Sequence, residues 1–173
     1  IFQKEPQVLI AHPDQGFDKF EDLKKSPSIF ISKDGLASYY QWMIAEFGFT
    51  EAQVKPYTFN AQPFLADKKS VMQGYLSSEP YAIESAAGFK PKVFLLADYG
   101  FNTYSTLIET RTELVTKNPD MVKRFVEASI IGWNNYLYGD NKAANALIKK
   151  DNPEMTDDKI AVGIKLMKEY GIV

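Results

Sequence analysis

Two short runs, Gln7–Ala11 (QVLIA) and Val93–Ala97 (VFLLA), are almost uninterrupted in their apolar character. They constrain the fold more than any other feature. A strand of this kind is buried on both faces, so other elements must cover both sides of its sheet. Ser28–Ser32 (SIFIS) reads as a further strand, and Val54–Asn60 (VKPYTFN) as one that Pro56 places at a sheet edge. Tyr75-Leu76 reads as the start of a short strand and Thr106–Ile108 as a weak one.

Helical spacing alternates with these strands. Phe20–Lys24 reads as a helical turn. After Ser32-Lys33-Asp34-Gly35, the residues Leu36, Tyr39, Tyr40, Met43, Ile44 and Phe47 fall on one apolar helix face, and Gly48 is placed to cap it. Phe64, Leu65, Val71 and Met72 predict a helix closing at Gly74, and Pro80–Glu84 another. From Asn118-Pro119-Asp120 onward the pattern is helical, with an Asn cap, Pro in the first turn and an acid beside it. Ala143–Lys149 and a last helix capped by Thr156 follow. The alternation predicts an α/β fold with a mostly parallel sheet. In such sheets ligands bind beyond the carboxyl ends of strands, which selects the loops Ser32–Gly35, Asn60–Pro63, Ser77–Pro80 and Asp98–Phe101.

Composition narrows the chemistry. The 173 residues carry a net charge of −2, so no nucleic-acid partner is expected. No apolar run approaches the roughly 18–20 residues that a membrane span needs. Without cysteine there is no disulfide, thiolate metal site or cysteine nucleophile. His12 is the one histidine and lies in a His-Pro-Asp turn, where a structural role outweighs a catalytic one. Dinucleotide, P-loop and zinc-site patterns do not occur. The carboxylate pairs Glu21-Asp22 and Asp157-Asp158 read as helix-end charges. No catalytic residue, metal or cofactor is therefore expected. Twelve Phe, ten Tyr and two Trp exceed what a core of this size requires; any single one reads first as core or half-buried surface, and a subset as lining a cleft for a flat or apolar ligand.

The segment Ala66–Tyr81 (ADKKSVMQGYLSSEPY), the Ser32–Gly35 turn and the tail Leu114–Val126 (LVTKNPDMVKRFV) carry a resemblance. They resemble periplasmic solute-binding proteins of ABC importers, in the nitrate, sulfonate, taurine and thiamine-precursor group. The match extends along nearly the whole chain. Gln7–Pro13, Lys55–Asn60, Gly74–Tyr81 and Asn145–Met155 are most similar to binders of thiamine-pyrimidine precursors such as formylaminopyrimidine or hydroxymethylpyrimidine.

This resemblance implies a two-lobed periplasmic-binding fold of type II, present as a fragment lacking the first part of lobe one, held in the periplasm or lipid-anchored at the outer face of the cytoplasmic membrane. It implies a small-molecule ligand and a membrane permease as partners. Residues 1–17 would form a crossing segment, 18–97 the second lobe, and 98–173 the returning part of lobe one. Ile1 follows no initiator Met or secretory pattern, and further residues are expected beyond both ends. A eukaryotic pyrimidine synthase shares the fold but uses a cysteine-rich motif and an active-site histidine, from which this sequence departs.

The residues expected to meet the ligand are Ser32, Asp34, Gly35, Tyr39, Asn60, Glu79, Asp98 and Tyr99. Tyr39, Tyr40 and Trp42 diverge around one helix, so either tyrosine is as readily core as cleft. Glu79 suits an aminopyrimidine as hydrogen-bond acceptor, or serves as a charge at a helix start. Asn60 is a ligand contact or a turn former. Asp98 and Tyr99 follow VFLLA at the crossing. The only arginines are Arg111 and Arg124, both in the returning segment, which favours a neutral or cationic ligand over sulfonate, taurine or nitrate.

Overall fold

The computed structural model describes residues 1–173 and divides them into two compact units, one of Lys4–Thr103 and one of Ile1–Gln3 with Tyr104–Val173. The larger unit is built on five strands: β1 Gln7–Ala11, β2 Ile29–Ile31, β3 Val54–Pro56, β4 Val71–Tyr75 and β5 Lys92–Leu95, in the order β3-β2-β4-β1-β5. With them go helices α1 Lys33–Ala37, α2 Tyr39–Phe47, α3 Gln62–Ala66 and α4 Glu79–Ala87. The fold is α/β, as the alternation predicts.

The sheet is mixed rather than mostly parallel. β2 runs parallel to β3 and β4, whereas β1 is antiparallel to both β4 and β5. Side-chain pattern reports burial and not strand direction, so QVLIA carried no sign of this reversal. β1 separates two apolar clusters. Leu9, Ala11, Val71 and Phe94 join Phe20, Met43 and Tyr40 on one face. Val8, Ile10, Met72 and Leu95 join Phe64 and Ile83 on the other. This alternation is what period-2 geometry gives a strand buried on both sides.

Other expectations need correction. Val71 and Met72 belong to β4 and not to a helix that reaches Gly74. α3 ends at Ala66, where Asp67 turns the chain by accepting from Lys69 N at 3.0 Å. The helix expected from Ser32 to Phe47 is broken at Ser38, whose φ of −117° and ψ of −101° are not helical. The VKPYTFN strand stops at Pro56, and Phe59 adopts a left-handed φ of 59°. Pro56 does lie in the edge strand β3. VFLLA is strand only to Leu95, and Leu96–Tyr99 coil into a 3-10 turn closed by Gly100 at φ 110°. Gly48 caps α2 as expected, at φ 71°.

The smaller unit is helical: α5 Thr112–Lys117, α6 Pro119–Tyr138, α7 Lys142–Asp151 and α8 Asp157–Glu169. Thr156 caps α8 by accepting from Lys159 N at 3.3 Å, whereas Asn118 makes no side-chain cap to α6. No strand forms at Thr106–Ile108. Thr106 is left-handed, at φ 55°, and only Ser105 makes an isolated bridge, to Phe2. No helix is long and apolar enough to cross a membrane.

Two outcomes follow for the larger unit. Phe20 is fully buried and its ring meets Phe47, Phe49 and Tyr99 with centroids at 4.9, 5.7 and 4.4 Å. Phe20→Ala is expected to destabilise it by about 3–5 kcal/mol in chemical denaturation. Asp22 accepts from Lys25 Nζ at 2.7 Å and from the backbone N–H groups of Lys19 and Asp18. The Lys25 hydrogen bond, then that of Lys19, lowers its pKa from 3.8 to about 2. A carboxylate with a depressed folded pKa stabilises above its unfolded value, and loses that contribution as pH falls through the folded one. The melting-temperature difference between wild type and Asp22→Asn is therefore expected to be constant above about pH 4 and to vanish towards pH 2.

Candidate functional site

A cavity of about 360 Å³ opens in the larger unit where β2, β3 and β4 end and β1 begins. Strand ends of the parallel group deliver Ser32, Tyr57 and Tyr75, and the loop after β5 delivers Phe101 and Thr103. Because β1 is antiparallel, it contributes its first residues instead, and Glu5 and Gln7 join the lining.

Hydrogen bonds fix the floor. Gln73, on β4, accepts through Oε1 from Ser32 N at 2.6 Å and from the Tyr39 hydroxyl at 2.8 Å. Gln7 donates through Nε2 to the Gly74 carbonyl at 3.0 Å, and Gln7 N donates to Glu5 Oε1 at 3.1 Å. At the mouth of α4, Glu79 Oε2 accepts from Tyr75 N at 2.7 Å. Two glycines make room. A Cβ on Gly35 would lie 2.7 Å from Tyr39 Cζ, and one on Gly74 would lie 2.7 Å from Ile10 Cδ1 and 2.8 Å from Glu79 Cβ.

The walls are aromatic and acidic. Tyr39, Tyr57, Phe59, Tyr75 and Phe101 line the cavity, and its charged lining residues are Glu5, Asp34 and Glu79. Burial, followed by the charges of Tyr75 and Glu5, pushes the Tyr39 phenol well above its ordinary range. Burial, with the Glu79 carboxylate adding to it, pushes Tyr57 up to about 12. Both phenols are neutral hydrogen-bonding groups at neutral pH. Phe59 is 78% exposed and holds a left-handed backbone. A bulky residue costs about 1–3 kcal/mol there and persists only where surrounding structure imposes it.

Of the residues expected from sequence, Ser32, Asp34, Gly35, Tyr39 and Glu79 meet at this cavity. Asn60, Asp98 and Tyr99 do not line it. Asn60 Oδ1 accepts from Gln62 N at 2.9 Å, its turn-forming alternative. Asp98 pairs with Lys4 at 2.8 Å, and Tyr99 stacks on Phe20 at 17° between planes. Sequence reasoning missed Glu5, Gln7, Tyr57, Phe59, Gln73 and Phe101. Gln7 and Gln73 did leave a signal, being polar residues inside otherwise apolar strands. His12 lies elsewhere, 4% exposed, stacked on Phe64 and Phe89 with Nε2 at 2.8 Å from the Phe64 carbonyl. No group of His, Cys, Asp and Glu is arranged to hold a metal ion.

The sequence matches the family model described as NMT1/THI5 like over residues 1–143, more than four-fifths of its length. The chain belongs to the NMT1/THI5-like family. That family broadly covers the substrate-binding group of ABC transporters, is mostly binding proteins, and also includes a synthase-like member. No curated protein matches the sequence. Membership of the NMT1/THI5-like family agrees with a cavity that gathers aromatic rings and hydrogen-bonding groups.

Gly74 tests this packing. In Gly74→Ala the new methyl meets Glu79 Cβ, and overpacking is expected to outweigh the propensity gain, lowering stability by about 1–3 kcal/mol in denaturant titration. The Tyr75 amide, followed by NMR, is expected to lose its Glu79 hydrogen bond at the same time.

Proposed function

We propose that this protein binds a pyrimidine precursor of thiamine and delivers it to the membrane permease of an ABC importer. The observation that carries this reading is the lining of the cavity: every charged side chain on it is acidic, and five aromatic residues surround them. Carboxylates repel anions and accept hydrogen bonds from amines, while aromatic faces stack on a flat ring. An aminopyrimidine offers both. Sulfonate, taurine or nitrate is the weaker alternative, because an anion would meet Glu5, Asp34 and Glu79. The synthase reading is weaker still, since His12 is enclosed by phenylalanine rings away from the cavity. In this reading residues 18–97 form the second lobe, residues 1–17 a crossing segment and residues 98–173 the returning part of lobe one, and the protein works in the periplasm or lipid-anchored at the outer face of the cytoplasmic membrane.

Glu79 is the residue proposed to accept from the exocyclic amine. Oε2 is held by Tyr75 N, and the other oxygen remains for a ligand. Glu79→Gln keeps an oxygen for that backbone bond and exchanges the second acceptor for a donor. A hydrogen bond to a charged group contributes about 1.5–3 kcal/mol, or roughly 10- to 100-fold in affinity. Calorimetry on the full-length protein is expected to show hydroxymethylpyrimidine binding weakened by about that factor, with the melting temperature of the unliganded protein little changed. Unaltered affinity with a lowered melting temperature would show that Glu79 serves only to cap the Tyr75 amide.

A further inference from the structure

The cavity floor holds two glutamines whose amide orientation the protein itself fixes. Ser32 contributes a backbone N–H, which can only donate, so the Gln73 atom 2.6 Å from it is the carbonyl oxygen. The Tyr39 hydroxyl donates to the same oxygen. Gly74 contributes a backbone carbonyl, which can only accept, so the Gln7 atom 3.0 Å from it is the amide nitrogen. Nε2 of Gln7 also lies 3.5 Å from the Val8 carbonyl. Neither assignment leaves a flipped alternative.

The remaining halves, Gln73 Nε2 and Gln7 Oε1, meet no protein partner. The residues are only 8% and 7% exposed, and both line the cavity. The only fully enclosed side-chain polar atom left unpaired is Asn145 Oδ1, so both glutamine atoms reach open space. A strand interior is an unfavourable place for an amide, and half of each is left for something else.

We infer that Gln73 Nε2 and Gln7 Oε1 are a preoriented donor and acceptor that read a ligand offering both an acceptor and a donor. This rests on the cavity being the ligand site proposed above. It adds selectivity that carboxylates and rings do not supply. A ligand lacking the acceptor leaves the Gln73 amide desolvated and unpaired, and unmade polar bonds of this kind discriminate strongly.

Gln73→Glu is the direct test. It keeps an oxygen for Ser32 N and Tyr39 and replaces the cavity-facing donor with an acceptor. Wild type and variant full-length protein are titrated by calorimetry with hydroxymethylpyrimidine, taurine and nitrate. The expected result is that wild type binds hydroxymethylpyrimidine and the variant binds it about 10- to 100-fold more weakly. Equal binding by both overturns the inference and leaves the pyrimidine reading intact. Binding of taurine instead, lost in the variant, overturns the pyrimidine reading and supports the inference. Preferential binding of nitrate, which has no hydrogen to give Gln7, or of no probe, overturns the inference. A second measurement needs no variant. The Gln73 side-chain amide protons, followed by NMR in the wild-type protein, are expected to shift and to exchange more slowly on saturation with the bound probe. An unchanged amide signal overturns the inference even if Gln73→Glu does not fold.

Discussion

Everything in the larger unit is arranged around the antiparallel seating of β1 between β4 and β5. Val8, Leu9, Ile10 and Ala11 are fully buried, and their side chains alternate into the two apolar clusters. Their burial, at about 25 cal/mol per Å² of apolar surface, contributes to both layers at once. The seating also decides the composition of the cavity. Parallel strands point their carboxyl ends to the ligand edge, while the reversed strand brings its amino end there. Residues from the start of the unit, Glu5 and Gln7, thus meet Gln73 and Tyr75 from its middle.

That reversal explains what the sequence did and did not disclose. The rule that ligands sit beyond strand carboxyl ends led to Ser32, Gly35 and Glu79, which follow strands in the parallel group and line the cavity. It could not lead to Glu5, which precedes β1, or to Gln7, which begins it, because apolar pattern is the same for either direction. Asp98 and Tyr99 are the opposite case and do not line the cavity. They follow β5 as the rule requires, but the chain coils immediately, with Asp98 held by Lys4 and Tyr99 laid on Phe20. Phe59 was illegible for a third reason. Its display depends on a positive φ in a non-glycine residue, which no propensity signals.

Secondary structure follows the same division. The caps at Gly48 and Thr156 were readable because each rests on local geometry. Val71 and Met72 were misread because apolar spacing over a few residues fits a helix or a strand, and only the sheet pairing with β1 and β2 decides between them. The break at Ser38 was hidden by a continuous apolar face. It lets α1 hold the cavity wall through Gly35 while α2 buries Tyr40 and Met43 in the core.

The floor of the cavity has a chemical property that its rim lacks. The side chains of Gln7 and Gln73 there bond only to backbone groups and the Tyr39 phenol. A carboxamide has no proton to lose in water, and the phenol is held above its ordinary range by burial. Acidity in the surrounding medium therefore does not alter the donor and acceptor that these two carboxamides present. The donor and acceptor of the two glutamines would stay the same through changes that ionise or neutralise the carboxylates of Glu5, Asp34 and Glu79 beside them.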